Sequence, residues 1–362
     1  MDAVVIGAGI IGSWVALALA RAGLSVAVFD ASNKPGDGIS GRNSGVLHAG
    51  IYYDPGSLKA IHCQRGRNLT EEFLQKHRVP FTICGKLVVG EKDDEPRLIT
   101  LLENAKRCGA EGLSIISQPG RNYIGVRGSR ALLSSKTGVV DAPAYLSAVR
   151  AQAEANGALF LLGRTVTEID HGRIVTRLMR TAHHEEITCD WIVNAAGLDS
   201  DTVAGWAGVS GYEIRPNRGE YFRLRKQLPY PKLVYPLPLL DSTALGVHYT
   251  FHLNGDAYAG PNSIWAENKK DYRITASRRE FYLSLSRILE GYEEADLEPG
   301  YAGLRPRLFI NGIPQRDFVI LENPDRVIHM LGIESPGLTS APSLAEAIAA
   351  RVTRGEKIHP NS

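Results

Sequence analysis

Residues 2–30 read DAVVIGAGIIGSWVALALARAGLSVAVFD, and this stretch decides the fold. Ala3-Val4-Val5-Ile6 is an apolar run of strand formers that stops at a glycine. Gly7, Gly9 and Gly12 follow in Gly-x-Gly-x-x-Gly spacing. A helical pattern then runs to Arg21, with Gly23 where a C-terminal cap belongs. Ser25 to Phe29 reads as a second buried strand, and Asp30 ends it. In such a unit the first glycine permits a tight turn, the second lets backbone approach a pyrophosphate, and the third lets helix and strand pack closely. The phosphates sit on the amide-rich, positive end of the helix. A carboxylate about 20 residues further on accepts hydrogen bonds from ribose hydroxyls. Asp30 favours an unphosphorylated ribose over a phosphorylated one. Ala3 to Ala20 carries no charge, which also fits a signal sequence or a membrane span. The acidic Asp2 before it, the three placed glycines and the complete strand–helix–strand sequel favour a nucleotide-binding start.

The bulk properties bound the rest. The chain has 362 residues, enough for two domains, and 44% apolar and 22% charged content is ordinary for a globular protein. A net charge of +2 with no basic block gives no surface for nucleic acid. Cys63, Cys84, Cys108 and Cys189 lie far apart without metal-ligand spacing, and so read as isolated thiols of a reducing compartment. No metal site is expected, and localisation is read as cytoplasmic with no integral membrane span, leaving room for peripheral membrane association.

Beyond Asp30 comes a loop with five glycines from Gly36 to Gly50, GDGISGRNSGVLHAG. It has the turn chemistry of a surface loop, or it is backbone lying close to a flat ligand. Ser57 to His77 fits a helix. Phe81–Cys84 and Lys86–Val89 read as a hairpin, followed by a helix near Arg97 to Cys108. Pro143 starts a helix that ends at Asn156-Gly157. Trp191 to Gly197 is a buried strand ending in small residues, the end that faces the ligand crevice in a nucleotide-binding sheet. Tyr212 to Gly260 is strand-rich with prolines at its borders, as suits an antiparallel sheet; it includes a strand over Leu245–Phe251. Ser277–Leu289 reads as a helix, Gly300–Phe309 and Val327–Leu331 as strands, and about Ser343 to Arg354 as the last helix. The fold class is therefore α/β: a Rossmann-type dinucleotide domain over 1–78, 137–211 and 315–362. A mostly antiparallel β-sheet with helices is inserted as the substrate domain, over 79–136 and 212–314.

Several motifs in order carry a family likeness. RNSGVLHAGIYYDPGSLKA (42–60), TGVVDAPAYLSAVRAQAEANGA (137–158), NAAGLDS (194–200) and LGVHYT (245–250) join the opening fingerprint. Together they resemble the FAD-dependent L-2-hydroxyglutarate dehydrogenase/oxidase group within the D-amino-acid oxidase and glycine oxidase superfamily. The resemblance implies FAD as the dinucleotide. It assigns Gly7, Gly9 and Gly12 to the pyrophosphate, Asp30 to the adenosine ribose and Val166 to the adenine through its backbone, with Ile11, Ala31, Ser32 and Ser40 also among the cofactor-binding residues. Arg42, Asn43, Ser44, Gly45, Val46 and His48 would line the isoalloxazine. Ala195, Ala196, Gly197, Gly332, Glu334, Pro336, Gly337, Leu338 and Thr339 would close over the cofactor, with Arg305 beside them. Gly303-Leu-Arg-Pro306 departs from the hydroxyglutarate pattern and looks more like the amino-acid and glycine oxidases, whose arginine there grips the substrate carboxylate.

Oxidising a 2-hydroxy or 2-amino acid on a flavin needs an anchored carboxylate, an aimed C–H bond and a proton acceptor. Arg305 is the candidate anchor, because guanidinium binds carboxylate in a planar fork. His48 and His248 are the candidate bases, whereas His171, His183 and His184 read as surface. Tyr249 and Tyr53 are candidate donors to substrate, or plain core aromatics. The expected partners are a small carboxylate substrate and an electron acceptor, oxygen or a quinone. Amine oxidation is the alternative activity, and a catalytically decayed flavin-binding protein the non-enzymatic one.

Overall fold

The computed structural model describes residues 1–178, 184–238 and 245–357. The opening unit forms as read. Strand Ala3–Ile6 pairs in parallel with Val26–Asp30 on one side and Trp191–Asn194 on the other. The sheet extends to six strands in the order Val319–Glu322, Val327–Leu331, Trp191–Asn194, Ala3–Ile6, Val26–Asp30, Leu159–Leu162. Only the edge strand Val319–Glu322 runs antiparallel.

Both faces of this sheet are covered, which is why its strands are apolar without alternation. Ala3 and Val5 face a cluster with the helices Ile10–Arg21, Leu58–Lys76, Ala142–Ala155 and Gly337–Arg354. Val4 and Ile6 face a second cluster with Val166, Ile169 and Ile174 from a three-stranded antiparallel sheet, Arg164–Asp170, Arg173–Leu178 and His184–Thr188. Among the helices, the Trp14 indole N–H donates to the Tyr145 hydroxyl at 2.8 Å, and Thr70 lies 3.2 Å from the same oxygen. The buried Trp and Tyr thus satisfy each other's polar ends.

The second sheet has ten strands. Its path is Ile313–Pro314, Leu297–Ile310, Tyr212–Leu224, Ala257–Ala259, Tyr249–Phe251, Leu233–Pro236, Lys86–Gly90, Arg130–Ser134, Leu113–Ser117, and Ile264–Trp265 pairs beside Tyr212–Leu224. Long pairing between Tyr212–Leu224 and Leu297–Ile310 forms its spine. A buried ion cluster braces that spine: Arg218 donates to Glu220, Asp271 and Thr275, and both Glu220 carboxylate oxygens accept backbone N–H groups from Thr275 and Ala276. Buried charges persist where every lone pair and proton finds a partner, as here.

Four local readings are corrected. Phe81–Val89 is not a hairpin: Phe81–Thr82 pairs with Gly138–Val140, while Lys86–Gly90 pairs with Arg130–Ser134 and, in parallel, with Leu233–Pro236. Gly85, at φ 76°, turns the chain from one sheet into the other. The last helix begins at Gly337, not Ser343, because Pro342 is carried inside it rather than marking its start. The helix read over Ser277–Leu289 spans Arg278–Leu285, behind a capping box of Ser277 and Glu280. The strand read over Leu245–Phe251 is limited to Tyr249–Phe251. The surface reading holds for His171 and His184, whereas His183 lies outside the described residues.

Candidate active site

One cleft of about 1540 Å³ runs from the glycine fingerprint to the face of the second sheet. It exceeds the few hundred to 1,000 Å³ of an ordinary small-ligand site, as an extended dinucleotide plus a substrate requires. At its start the fingerprint glycines answer to contacts. A Cβ on Gly7 would run into the Ala195 carbonyl, and one on Gly12 into the Gly7 carbonyl. The helix Ile10–Arg21 carries no acidic residue in its first turn, and Gly9, Ile10 and Ile11 border the cleft at its positive end. The Asp30 carboxylate accepts the Ala8 and Ser32 N–H groups, each at 2.7 Å, and so ties the turn to the end of its strand. Burial raises its pKa, and those two hydrogen bonds oppose the rise.

The residues assigned to the cofactor divide into two sets. Bordering the cleft are Gly7, Gly9, Ile11, Asp30, Ala31, Ser32, Ser40, Arg42, Asn43, Ser44, Val46, His48, Ala195, Ala196, Gly197, Arg305, Glu334, Pro336, Gly337 and Leu338. Gly12, Gly45, Val166, Gly332 and Thr339 stand behind its wall. Gly45 is held by the Asn43 side chain and by Val140. The Thr339 hydroxyl accepts the His48 N–H at 3.0 Å. Gly332 packs against Leu308. The Val166 side chain turns into the apolar cluster under the sheet, and Thr165 beside it borders the cleft.

Opposite this wall, Arg305 enters from the strand Leu297–Ile310. Its guanidinium donates to Asn217 Oδ1 at 2.9 Å and to the Asn262 carbonyl at 3.3 and 3.4 Å. Asn262 is itself fixed, since its Oδ1 accepts the Glu220 N–H at 2.8 Å. Gly219 makes room for this group: a Cβ there would stand 2.9 and 3.1 Å from the guanidinium nitrogens. Among the described residues no carboxylate pairs with Arg305, and burial pulls its pKa down. The other arginine of the segment, Arg307, is engaged with Glu334 at 2.9 Å, as is Lys59 at 2.8 Å.

His48 and His248 both reach the cleft. His248 Nδ1 lies 2.9 Å from the Gly246 carbonyl, which can only accept; Nδ1 therefore carries the proton and Nε2 is left as an acceptor. His48 Nε2 lies 2.9 Å from the Ser335 hydroxyl. Burial, with the nearby Lys86 charge adding to it, pushes both imidazoles down to about 3, so both are neutral near pH 7. Tyr249 is the misplaced candidate. It lies in the core of the second sheet, 1% exposed, and its hydroxyl accepts the Leu228 N–H at 3.1 Å. His248, immediately ahead of that strand, faces the cleft, as successive side chains of extended backbone point to opposite sides. Tyr53 does border the cleft, together with Tyr52, Tyr221 and Tyr235. The last two, with Asn217, Gly219, Asn262 and Lys86, carry no sequence motif that would single them out.

The geometry matches what comparison with known proteins finds. The family model described as FAD dependent oxidoreductase (DAO) matches residues 2–351, and the chain belongs to that family. FAD is accordingly the dinucleotide that the fingerprint and its cleft accommodate. The chain is 34% identical to the mitochondrial L-2-hydroxyglutarate dehydrogenase of Arabidopsis thaliana, over 98% of this chain and 84% of the relative. It is 28% identical to L-2-hydroxyglutarate dehydrogenase of Indibacter alkaliphilus, over 95% and 97%. In fold it is similar to L-α-glycerophosphate oxidase from Mycoplasma pneumoniae with FAD bound, with a TM-score of 0.85 at 21% identity, covering 97% of this chain and 94% of that one. Glycine oxidase from Geobacillus kaustophilus gives 0.81 at 18% identity, covering 100% and 96%. No helix among the described residues is long and apolar enough to cross a membrane.

Proposed function

We propose that the chain oxidises L-2-hydroxyglutarate, or a closely similar 2-hydroxy acid, to the 2-keto acid. The observation that carries this is Arg305: a guanidinium without a carboxylate partner among the described residues, facing the cleft beside two neutral imidazoles. The relatives named L-2-hydroxyglutarate dehydrogenase, over nearly the whole chain, support the choice of a hydroxy acid.

In this reading Arg305 takes the substrate's C1 carboxylate in a bidentate grip and fixes the plane of the reacting carbon. The hydroxyl proton passes to an imidazole of the His48–His248 pair, and His248 Nε2 is the acceptor already stripped of its own proton. The C2–H bond breaks with its electron pair leaving the substrate, and the C2–O bond becomes a carbonyl. Bound FAD supplies the two-electron acceptor for that step. Gly7, Gly9, Ile11, Asp30 and Ser32 hold the dinucleotide's phosphate and ribose portion, and the Arg42–Val46 loop its ring side. Oxygen or a quinone then takes the electrons, and a quinone would bring the chain to a membrane surface as a peripheral protein.

Anaerobic mixing of the flavinated protein with L-2-hydroxyglutarate should bleach the visible flavin absorption and release the 2-keto acid. Bleaching by amino acids alone, with ammonia as product, would replace this reading with amine oxidation. Reoxidation by oxygen against reoxidation by a soluble quinone identifies the acceptor.

A further inference from the structure

Lys86 is wholly buried, and its Nζ has no hydrogen-bond partner among the described residues. It sits 4.5 Å from the centre of the Tyr52 ring and 4.7 Å from that of Tyr235, and both rings border the cleft. The other face of the assembly is His248, whose imidazole stacks on Tyr235 at 3.6 Å between centres. Among the described residues the buried Tyr52 hydroxyl lacks a hydrogen-bond partner as well. Cation–π contact offsets part of the cost of burying an ammonium, but an isolated buried charge is expensive without an anion. Neither a carboxylate nor any other ionised acid among the described residues supplies one: the thiols of Cys63 and Cys84 are the acidic groups it feels, and burial keeps both protonated.

Among the described residues two buried cations therefore lack a carboxylate partner, Arg305 bordering the cleft and Lys86 behind the Tyr52 and Tyr235 rings of its wall, and His248 feels the charge of both. A 2-hydroxy dicarboxylate has the matching pattern, with its reacting hydroxyl between two carboxylates. We propose that Lys86, behind the Tyr52 hydroxyl, supplies the positive charge for the substrate's second carboxylate and so selects dicarboxylates over monocarboxylates. The assignment rests on Arg305 holding the first carboxylate, as proposed above. Burial drops the Lys86 pKa to about 7 in the unliganded protein, so a bound anion should draw a proton onto it.

The test compares L-2-hydroxyglutarate with L-2-hydroxybutyrate, which lacks only the terminal carboxylate, in flavinated wild type and Lys86→Met. The ratio of kcat/KM for the dicarboxylate to that for the monocarboxylate should fall on the order of a hundredfold, as loss of one partner of a buried charge pair does; the loss of the lysine charge beside His48 and His248 acts on both substrates alike and cancels in that ratio. Equal losses on both substrates, or none, overturn the proposal. A second measurement needs no variant: titration of wild-type flavin absorption with glutarate and with butyrate from about pH 6 to 9. The other titratable groups around Lys86 stay out of that window. His48 and His248 lie near 3, Cys63 and Cys84 are raised to about 12 and about 11, and Tyr52 and Tyr235 lie well above their usual range. Glutarate affinity should weaken about tenfold per pH unit above the lysine's midpoint, with butyrate flat. Parallel curves for both acids overturn the proposal. If hydroxyglutarate bleaches the flavin but glutarate shows no such dependence, only Lys86 is misassigned. If neither hydroxy acid bleaches it, the substrate reading fails, and the glutarate titration still decides the lysine.

Discussion

Replacing Arg305 with alanine removes the proposed partner of the substrate carboxylate. The guanidinium gives up one hydrogen bond to Asn217 and two longer ones to the Asn262 carbonyl. Asn217 Oδ1 keeps the Ser263 hydroxyl at 3.0 Å and Asn262 Oδ1 keeps the Glu220 N–H, whereas the backbone carbonyl of the half-buried Asn262 gives up both guanidinium donors. The stability change should be modest, about 1 kcal/mol. The substrate, by contrast, loses its charge partner in a site shielded from water, at a cost of roughly 2–5 kcal/mol. That corresponds to a drop in kcat/KM on the order of thirtyfold to several thousandfold. Arg305→Lys should recover only part, because a point charge cannot reproduce the planar fork. The assay is the rate of anaerobic flavin reduction by L-2-hydroxyglutarate, measured with flavin occupancy and thermal midpoint on the same sample. Gly219→Ala gives an independent probe, since its Cβ would press on the guanidinium and should slow reduction without removing the charge. Normal reduction kinetics in a fully flavinated Arg305→Ala protein would show that Arg305 does not hold the substrate. Poor flavin retention with normal turnover would make Arg305 a structural residue.

Gly12→Ala should abolish flavin retention, because its Cβ meets the Gly7 carbonyl and pushes the helix off the turn; the ratio of visible to ultraviolet absorption after purification reads it. Tyr249→Phe should cost about 1–3 kcal/mol of stability by leaving the Leu228 N–H unpaired in the core. Its turnover should stay unchanged, and a large fall in kcat would return Tyr249 to the site. His329 is buried, accepts from the Asn194 side chain through Nδ1 at 3.1 Å, and is pushed down to about 4 by burial. The unfolded chain, with an ordinary imidazole pKa near 6.5, binds more protons between those values, so its contribution is lost as pH falls from about 6.5 toward 4. Thermal midpoints across that window should fall less steeply in His329→Gln than in wild type, and identical slopes would show that His329 does not titrate on unfolding.

The opening strand–turn–helix, the acid at Asp30, and the burial of both faces of the first sheet are legible in residues 2–30. They depend on local forces: strand and helix periodicity, glycines that cannot be replaced, and a carboxylate about 20 residues from the first turn. The proposed roles of Arg305 as anchor and of His48 and His248 as bases are readable only by resemblance, since a lone arginine or histidine carries no local signature. What tertiary structure alone decided follows from pairing between distant segments. Phe81–Thr82 and Lys86–Gly90 belong to different sheets because Val139-Val140 and Leu233–Pro236, far along the chain, capture them. Tyr249 and His248 exchange the roles that adjacency leaves open, because a strand sends successive side chains to opposite faces and only the packed sheet says which face is the cleft. Lys86 reads as an ordinary strand-edge charge until Tyr52, Tyr235 and His248 close around it. That no counter-ion meets it among the described residues is a fact of three-dimensional neighbours, set by residues 34, 149 and 162 positions away in sequence.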